Sequence, residues 1–349
     1  MINDMEYIIT NSLLLFFVIG CLLDVESAIA ICGVLVFCCR YFRIEPIPEE
    51  RLRELGFVPV GVPSTASSDG KGGVETENKA FVIAHRGGGA DSPENTIEAI
   101  KQAAKNGADG VEVDLEFTKD GVAVLIHDDT VDRTTDGKGR ITELTYSHVL
   151  TLNASNNHPH QDQFKITRIP TLEECIKVCI RRKLKLFIDC KSTDSKKTSD
   201  VLISMFEKYP KLHNLAVVCS FYPNVIYSLR RRNPYILTAL THRHRVLSRK
   251  VDGTERNKEP WKRLIAPIFD AILEWSHMTW LWYFCGTSFF LCHKANISQH
   301  LVERLSNRGI RLVVWTVNNP DEKTYFGQHL KCYLISDSMD PNYKEEATT

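Results

Sequence analysis

The 349-residue sequence lacks an excess of charge of either sign: 43 Lys and Arg stand against 43 Asp and Glu. Without a basic stripe, nucleic acid is excluded as the natural partner; without an acidic tail, a disordered chain is excluded too. No CxxC pair or zinc-type spacing occurs among the 11 cysteines, and a chain of this size does not read as a disulfide framework. Several of them (Cys21, Cys32, Cys38, Cys39) lie in hydrophobic sequence, where cysteine behaves as a small apolar residue. A dinucleotide-type glycine loop is missing as well, because His85-Arg86-Gly87-Gly88-Gly89 does not have GxGxxG spacing. Finally, no Lys or Arg precedes the first apolar run, which argues against a cleaved signal peptide.

That first apolar run covers residues 7–23, and a second covers 28–39. Positive charge follows only at Arg40, Arg43, Arg51 and Arg53. Residues 1–45 therefore read as an uncleaved transmembrane anchor, either one tilted span or a two-span hairpin, since a span needs about 20 apolar residues. Residues 46–80 read as a linker, rich in Gly, Ser and Thr around 63–73.

From residue 81 onward, strand and helix signals alternate. Apolar, β-branched runs occur at 81–84, 111–115, 122–126, 184–190, 215–220, 236–240, 288–292, 312–317 and 332–336. Helical patterns intervene at 172–182, 200–208 and 298–307, and Ser92 with Pro93 reads as the start of another helix that ends before Gly107. This alternation over residues 81–345 predicts an α/β fold, a TIM (β/α)8 barrel, with a doubly wound open sheet as the alternative. Residues 128–168 are polar with little periodicity and read as a small cap inserted above the barrel. Residues 264–284 are strongly apolar and carry Trp275, Trp280, Trp282 and Tyr283, but Asp270, Glu274 and His277 interrupt them. A barrel strand follows, so a full crossing would prevent closure; the segment reads as a membrane-associated interfacial helix or hairpin.

Glu112 and Asp114 are two apart on a strand and share a face, which in a barrel is the interior. Two bare carboxylates there repel and are costly to desolvate, a conflict that a divalent cation resolves. Asp189 and Lys191 repeat the spacing on a later strand. Asp189 can add a third oxygen ligand, and Lys191 can neutralise a phosphate oxygen. An all-oxygen set suits Mg²⁺, with Ca²⁺ as the alternative. His85 and His127 each follow an apolar run directly and can exchange protons near neutral pH; the rival reading makes them metal ligands. Arg86 offers a planar donor fork for phosphate, or a salt bridge to Glu94 or Asp91. Gly87–Gly89 either lets the backbone approach a ligand or forms a plain turn. Trp315 ends another strand, as core or as a wall of the site.

His85-Arg86-Gly87, Pro93-Glu94-Asn95-Thr96, Glu112-Val113-Asp114, Asp120-Gly121, His127-Asp128, residues 132–137, the Asp189–Lys191 pair and Trp315-Thr316-Val317-Asn318 closely resemble the glycerophosphodiester phosphodiesterase family over about residues 81–340. The resemblance implies a TIM barrel with an insertion after the second histidine motif. It also implies a divalent cation on Glu112, Asp114 and Asp189, an acid–base pair His85 and His127, and Arg86 and Lys191 around the phosphate. One departure stands out: the third carboxylate is commonly Glu in the family and is the shorter Asp189 here.

The activity implied is metal-dependent hydrolysis of a glycerophosphodiester, or of a lysophospholipid, to glycerol 3-phosphate or lysophosphatidate plus an alcohol. Glycerophosphoinositol and glycerophospho-N-acylethanolamines are the implied substrates, and membrane lipid the implied surroundings. The alternatives are a lyase that stops at a cyclic phosphate and a catalytically inactive membrane scaffold. Arg40–Arg53 would place the barrel in the cytoplasm. The sequons at Asn153 and Asn296, with the resemblance, favour a lumenal or extracellular barrel on a cell, vesicle or endoplasmic-reticulum membrane.

Overall fold

The computed structural model describes residues 25–58, 80–250, 253–340 and 343. They fall into two compact units, one comprising residues 47–243 with 288–349, the other residues 1–46 with 244–287.

The first unit is built on nine strands: β1 (Val82–Ala84), β2 (Gly110–Phe117), β3 (Ala123–Leu125), β4 (Lys185–Cys190), β5 (Ala216–Ser220), β6 (Leu237–His242), β7 (Phe289–His293), β8 (Arg311–Trp315) and β9 (Tyr333–Ser336). Eight are parallel and close on themselves, because β1 pairs with both β2 and β9. This is a TIM-type barrel and not the open sheet. One of the nine predicted runs, β3, is no barrel strand: it folds back antiparallel on β2, with Leu115 opposite Leu125. The β-branched and apolar strand residues are buried on both faces, as a parallel sheet between helices and interior requires.

The covering helices include α3 (Ile97–Lys105), α4 (Leu172–Arg182), α5 (Ser195–Lys208), α6 (Pro223–Arg232) and α9 (Gln299–Ser306). The start of α3 differs from expectation. Thr96, not Ser92, is its N-cap, with Thr96 Oγ1 accepting from Ala99 N at 3.1 Å. Asn95 just before it sits at φ 57°, which no helix tolerates, so Ser92 and Pro93 belong to the preceding turn. By contrast α4 has the predicted bounds, held by a Thr171–Glu174 capping box.

Residues 128–168 are less structureless than their polarity implies. Val131, Ile141, Val149, Leu152 and Ala154 gather with Val124, Ile126 and Ile169 into a small apolar cluster of their own. The Asn153 carbonyl knits this cap together, accepting from Ser155 N, Ser155 Oγ and Thr167 N.

The stretch expected as linker, 46–80, is in part a plug. Residues 59–79 lie outside the described residues, but α2 (Glu49–Glu54) and the turn after it pack onto the N-terminal end of the barrel strands. Phe57 is fully buried against Phe289, Phe81 and Tyr333. Arg311, at the start of β8 and fully buried, is gripped by Glu49 (2.6 and 2.8 Å) and by Phe57 O (2.9 Å). Six residues of helix carry too short an apolar stripe to announce this from sequence.

The second unit contains α1 (Val25–Phe42), α7 (Pro260–Thr279) and α8 (Leu281–Cys285). The first apolar run, 7–23, lies outside the described residues; the second lies in α1. Among the described residues no helix is long and apolar enough to cross a membrane, so no transmembrane anchor is assigned to them. The chain leaves α1 beside α8: Ile44 N donates to Phe284 O at 3.0 Å, and the Arg43 guanidinium stacks over Tyr283, 4.0 Å from its ring centre. In α7 the charged residues that interrupted the apolar run have local work. Asp270 accepts from Leu247 N and Ser248 N, and Glu274 from Arg245 N and His244 Nδ1. The opposite side exposes Trp261, Leu264, Ile268, Phe269, Ile272 and Trp275.

Candidate active site

The barrel register explains why distant residues meet. Asp114 on β2 lies directly opposite Asp189 on β4, and Glu112 lies two residues before Asp114 on the same face. One carboxylate oxygen from each of Glu112, Asp114 and Asp189 falls within 4.8 Å of the others, and all three residues are buried. Next to β2 is β1, whose last residue Ala84 pairs with Val111, so His85 emerges beside Glu112 with its Nε2 3.9 Å from Glu112 Oε2.

The turn after His85 needs its glycines for packing. Arg86, Gly87 and Gly88 all have positive φ, and a Cβ on Gly87 would lie 2.8 Å from the Cβ of Ala99 in α3. The turn also aims Arg86 N at Glu112 Oε2, at 2.9 Å. The glycines thus form a tight turn that lets α3 approach.

The electrostatics are those of an over-crowded anionic cluster. Burial first, and then the adjacent Asp114, push the Glu112 carboxyl up to about 8. Asp114 is moved the other way. Burial would raise it, but Lys191, His127, Arg86 and the Asn95 amide hold it well below the usual carboxylate range. Lys191 Nζ bridges Asp114 Oδ1 (2.9 Å) and Asp189 Oδ2 (2.5 Å), and its ammonium is held protonated by these partners despite burial. The other oxygen, Asp189 Oδ1, is buried with no hydrogen-bond partner. A buried bare carboxylate oxygen beside a protonation-prone neighbour is the donor set a hard divalent cation fits. These residues therefore suit a metal, and the short Asp189 reaches the cluster from β4 because it sits in register with Asp114.

His127 lies 2.7 Å from Asp128 Oδ1 through Nδ1. Burial is the main cause that lowers its imidazole, with Lys191 and Arg86 adding to it and Asp114 and Asp128 opposing. His85 is pushed down by burial and by Arg86, but Asp337 and Glu112 outweigh them and raise it. Thus the two histidines differ: His127 is held neutral more readily, His85 protonated more readily.

Arg86 takes the salt-bridge option at the same time as it faces the cluster. Its Nη1 is 3.0 Å from Glu94 Oε1, whereas its buried Nε lies 3.5 Å from Asp114 Oδ2 without a hydrogen bond. Trp315 stands at the end of β8, edge-on to Phe221 and His293, with ring centres 5.9 and 5.0 Å away. Lys191 Nζ is 6.0 Å from the same Phe221 ring, so the tryptophan belongs to an aromatic wall near the lysine.

Several residues of the site were given no role from sequence. Asn95 grips Asp114 twice, Nδ2 donating to Oδ2 (2.7 Å) and Oδ1 accepting from Asp114 N (3.0 Å). Arg133 from the cap joins Glu94 (2.8 Å) to Asp128 Oδ2 (2.6 Å). A chain of charges thereby runs from Asp114 through Arg86, Glu94 and Arg133 to Asp128 and His127. Beyond Glu94 and Arg133 lies a cavity of about 190 Å³, also lined by Thr134, Asn157 and His158. The third omission is Asp337, directly after β9, whose Oδ1 lies 2.5 Å from His85 Nδ1. Its signal was available: it ends an apolar run just as His85 does.

The glycerophosphoryl diester phosphodiesterase family matches residues 85–340. Glycerophosphodiester phosphodiesterase 1 of Mus musculus is 42% identical over 313 residues, 90% of this chain and 89% of the relative. Its Homo sapiens counterpart is 41% identical over 327 residues, 93% of each chain. Among solved structures, a glycerophosphodiester phosphodiesterase from Agrobacterium tumefaciens superposes with a TM-score of 0.58 at 20% identity, covering 75% of this chain and 98% of its own. An Oleispira antarctica phosphodiesterase in complex with the product sn-glycerol-3-phosphate gives 0.56 at 22% identity, covering 73% and 92%.

Proposed function

The chain belongs to the glycerophosphoryl diester phosphodiesterase family, and from that premise we propose a metal-dependent reaction at the mouth of its barrel. Glycerophosphodiester phosphodiesterase activity follows from membership. The finer reading is hydrolysis of glycerophosphoinositol, glycerophospho-N-acylethanolamine or a lysophospholipid, giving glycerol 3-phosphate or lysophosphatidate and an alcohol. The observation that carries it is the buried carboxylate triad flanked by two histidines of opposite tendency. The product held by the Oleispira antarctica relative is of the same chemical class.

Glu112, Asp114 and Asp189 would hold the cation, Mg²⁺ in this reading with Ca²⁺ as the alternative. When bound, it supplies positive charge against the phosphodiester oxygens. The chain's own residues do the rest. His127 takes a proton from the nucleophile, either water or the glycerol 2-hydroxyl. His85 donates a proton to the departing alkoxide. Arg86 and Lys191 set positive charge beside the phosphate, where negative charge grows as the fifth oxygen approaches phosphorus. Trp315 and Phe221 wall the glycerol side, and the cavity past Glu94 and Arg133 has room for a small polar alcohol. Asp114→Asn and His127→Ala, assayed on glycerophosphoinositol, should each lose on the order of 10²–10⁴-fold in turnover. Undiminished turnover in both would sink the reading.

A lyase that releases a cyclic phosphate would use the same histidines. Phosphorus NMR of the product distinguishes it, because only the lyase accumulates the cyclic species. The exposed apolar side of α7 supports a membrane-associated enzyme, and the sequons at Asn153 and Asn296 are what favour a barrel on the lumenal or extracellular side. Glycosidase-sensitive mobility tests that side. Asn296→Gln is the cleaner variant for it, since the Asn153 carbonyl holds the cap together.

A further inference from the structure

We propose that Asp337 is the positioning residue of His85: it fixes the imidazole as the Nδ1–H tautomer and thereby assigns proton exchange with substrate to Nε2. This rests on the reading of His85 as proton donor. Asp337 Oδ1 meets His85 Nδ1 at 2.5 Å across 252 residues of sequence. The other ring nitrogen, Nε2, faces the carboxylate cluster, 3.9 Å from Glu112 Oε2. An ionised carboxylate only accepts, so the proton between the two must sit on Nδ1.

Asp337 is itself clamped. Asn318 Nδ2 donates to Asp337 Oδ2 at 2.6 Å, and Asn318 Oδ1 accepts from Asp337 N at 2.9 Å. Both carboxylate oxygens are therefore committed, one to His85 and one to Asn318, and the carboxylate cannot rotate without breaking both. The backbone around it is pinned from the His85 side of the barrel seam. Ala90 N donates to Asp337 O (3.0 Å), Ser338 Oγ to Asp91 Oδ1 (2.5 Å) and Met339 N to Asp91 Oδ2 (2.8 Å). Burial opposes the ionised form of Asp337, but His85 and Asn318 hold it below the usual carboxylate range.

The plain alternative is that Asp337 merely ties the last strand to the first. The structure argues otherwise, because that tie is made without the carboxylate. The β1–β9 register pairs Val82, Ile83 and Ala84 with Leu334, Ile335 and Ser336, and the Ala90 and Asp91 bonds use other atoms. The partner of His127 is built differently. Asp128 is its sequence neighbour, and that aspartate's second oxygen leans on Arg133, a side chain 49% exposed. His85 thus has the more rigid carboxylate.

The test uses the full chain loaded with Mg²⁺. Asp337→Asn keeps size and removes the obligatory acceptor; kcat should fall on the order of 10²–10⁴-fold with KM within about threefold of the parent. Recorded at a pH where His85 is neutral, side-chain ¹⁵N shifts should show its remaining proton on Nδ1 in the parent and on Nε2 in Asp337→Asn. In a His85→Ala background, the same substitution should add no further loss. Asn318→Ala, which keeps the carboxylate but frees it to rotate, should lower kcat about tenfold and gives a second readout if Asp337→Asn folds poorly. Parent-like kcat in Asp337→Asn or in Asn318→Ala, an unchanged tautomer, or a full further loss in the His85→Ala background would each overturn the proposal. Parent-like activity of His85→Ala by itself would instead overturn the role of His85 on which it stands.

Discussion

The barrel mouth buries charge, whereas α7 in the second unit exposes hydrocarbon. Each inverts what a soluble domain ordinarily does with that chemistry. At the mouth, Glu112, Asp114, Asp189 and Lys191 sit among strands, and one carboxylate oxygen has no hydrogen bond. On α7, Trp261, Leu264, Ile268, Phe269, Ile272 and Trp275 stand in solvent, while its acids are turned onto backbone N–H groups. Both arrangements leave a group without its ordinary partner. In the first a cation would complete the set; in the second an apolar phase would.

Separate substitutions should break this contrast cleanly. Asp114→Asn removes one ligand of the triad and should reduce turnover about 10³-fold, whereas Ile268→Ser on α7 should alter turnover of a water-soluble substrate by less than about twofold. A larger effect of Ile268→Ser on that substrate would show that the two regions are not separable in function.

The next effect in size is on cation affinity. Burial and the adjacent Asp114 push the Glu112 carboxyl up to about 8, and only its ionised form is a ligand. Affinity should weaken as pH falls below about 8, approaching tenfold per unit. Calorimetry in two buffers of different ionisation heat should register about one proton released per ion at pH 7. Zero proton release would contradict the crowding at Glu112.

Stability of the metal-free protein should run the opposite way with pH. The folded Glu112 carboxyl holds its proton up to about 8, against 4.5 for an unperturbed glutamate. Between those values the folded state holds more protons than the unfolded state, so this contribution is full below about 4.5 and is lost as pH rises through about 8. Metal-free protein should therefore lose on the order of 4 kcal/mol across that window relative to Glu112→Gln, as measured by denaturant titration in chelator. Added Mg²⁺ should abolish the difference. The smallest expected effect is on the apolar side: Leu264→Ser with Ile268→Ser should lower vesicle binding by a few fold, read by flotation. Unchanged binding would remove α7 from any membrane contact.

Much of the barrel was legible because a parallel strand buried on both faces is an apolar run, and its end is marked where polarity returns. His85, His127, Asp189 and Lys191 stand where such runs end, Glu112 and Asp114 are marked by their two-residue spacing inside one, and the structure brings all six to one end of the barrel. What the rule cannot give is adjacency between the first and last strands. Asp337 ends a run in the same manner, but only closure of β9 on β1 brings it to His85. Local conformation was the other blind spot. Asn95 takes a left-handed conformation to reach Asp114, and that moved the start of α3 from Ser92 to Thr96. Likewise, β3 and the barrel strands share one composition, and pairing direction is not written in it.

The way the second unit enters the sequence has a consequence for how the chain can vary. Residues 244–287 leave after β6 and return before β7, yet β6 and β7 pair directly, Ala239 with Phe289 and His242 with Cys292. Ser288 N also bonds to Thr238 O, at 3.1 Å, sealing the point of return. The hoop of strands is thus complete on either side of the excursion. Lengthening such a loop costs only about 0.6 kcal/mol per doubling. This gap is a docking port in the gene: a place where segments of different length and surface can be exchanged while the register that aligns Asp114 with Asp189 stays as it is.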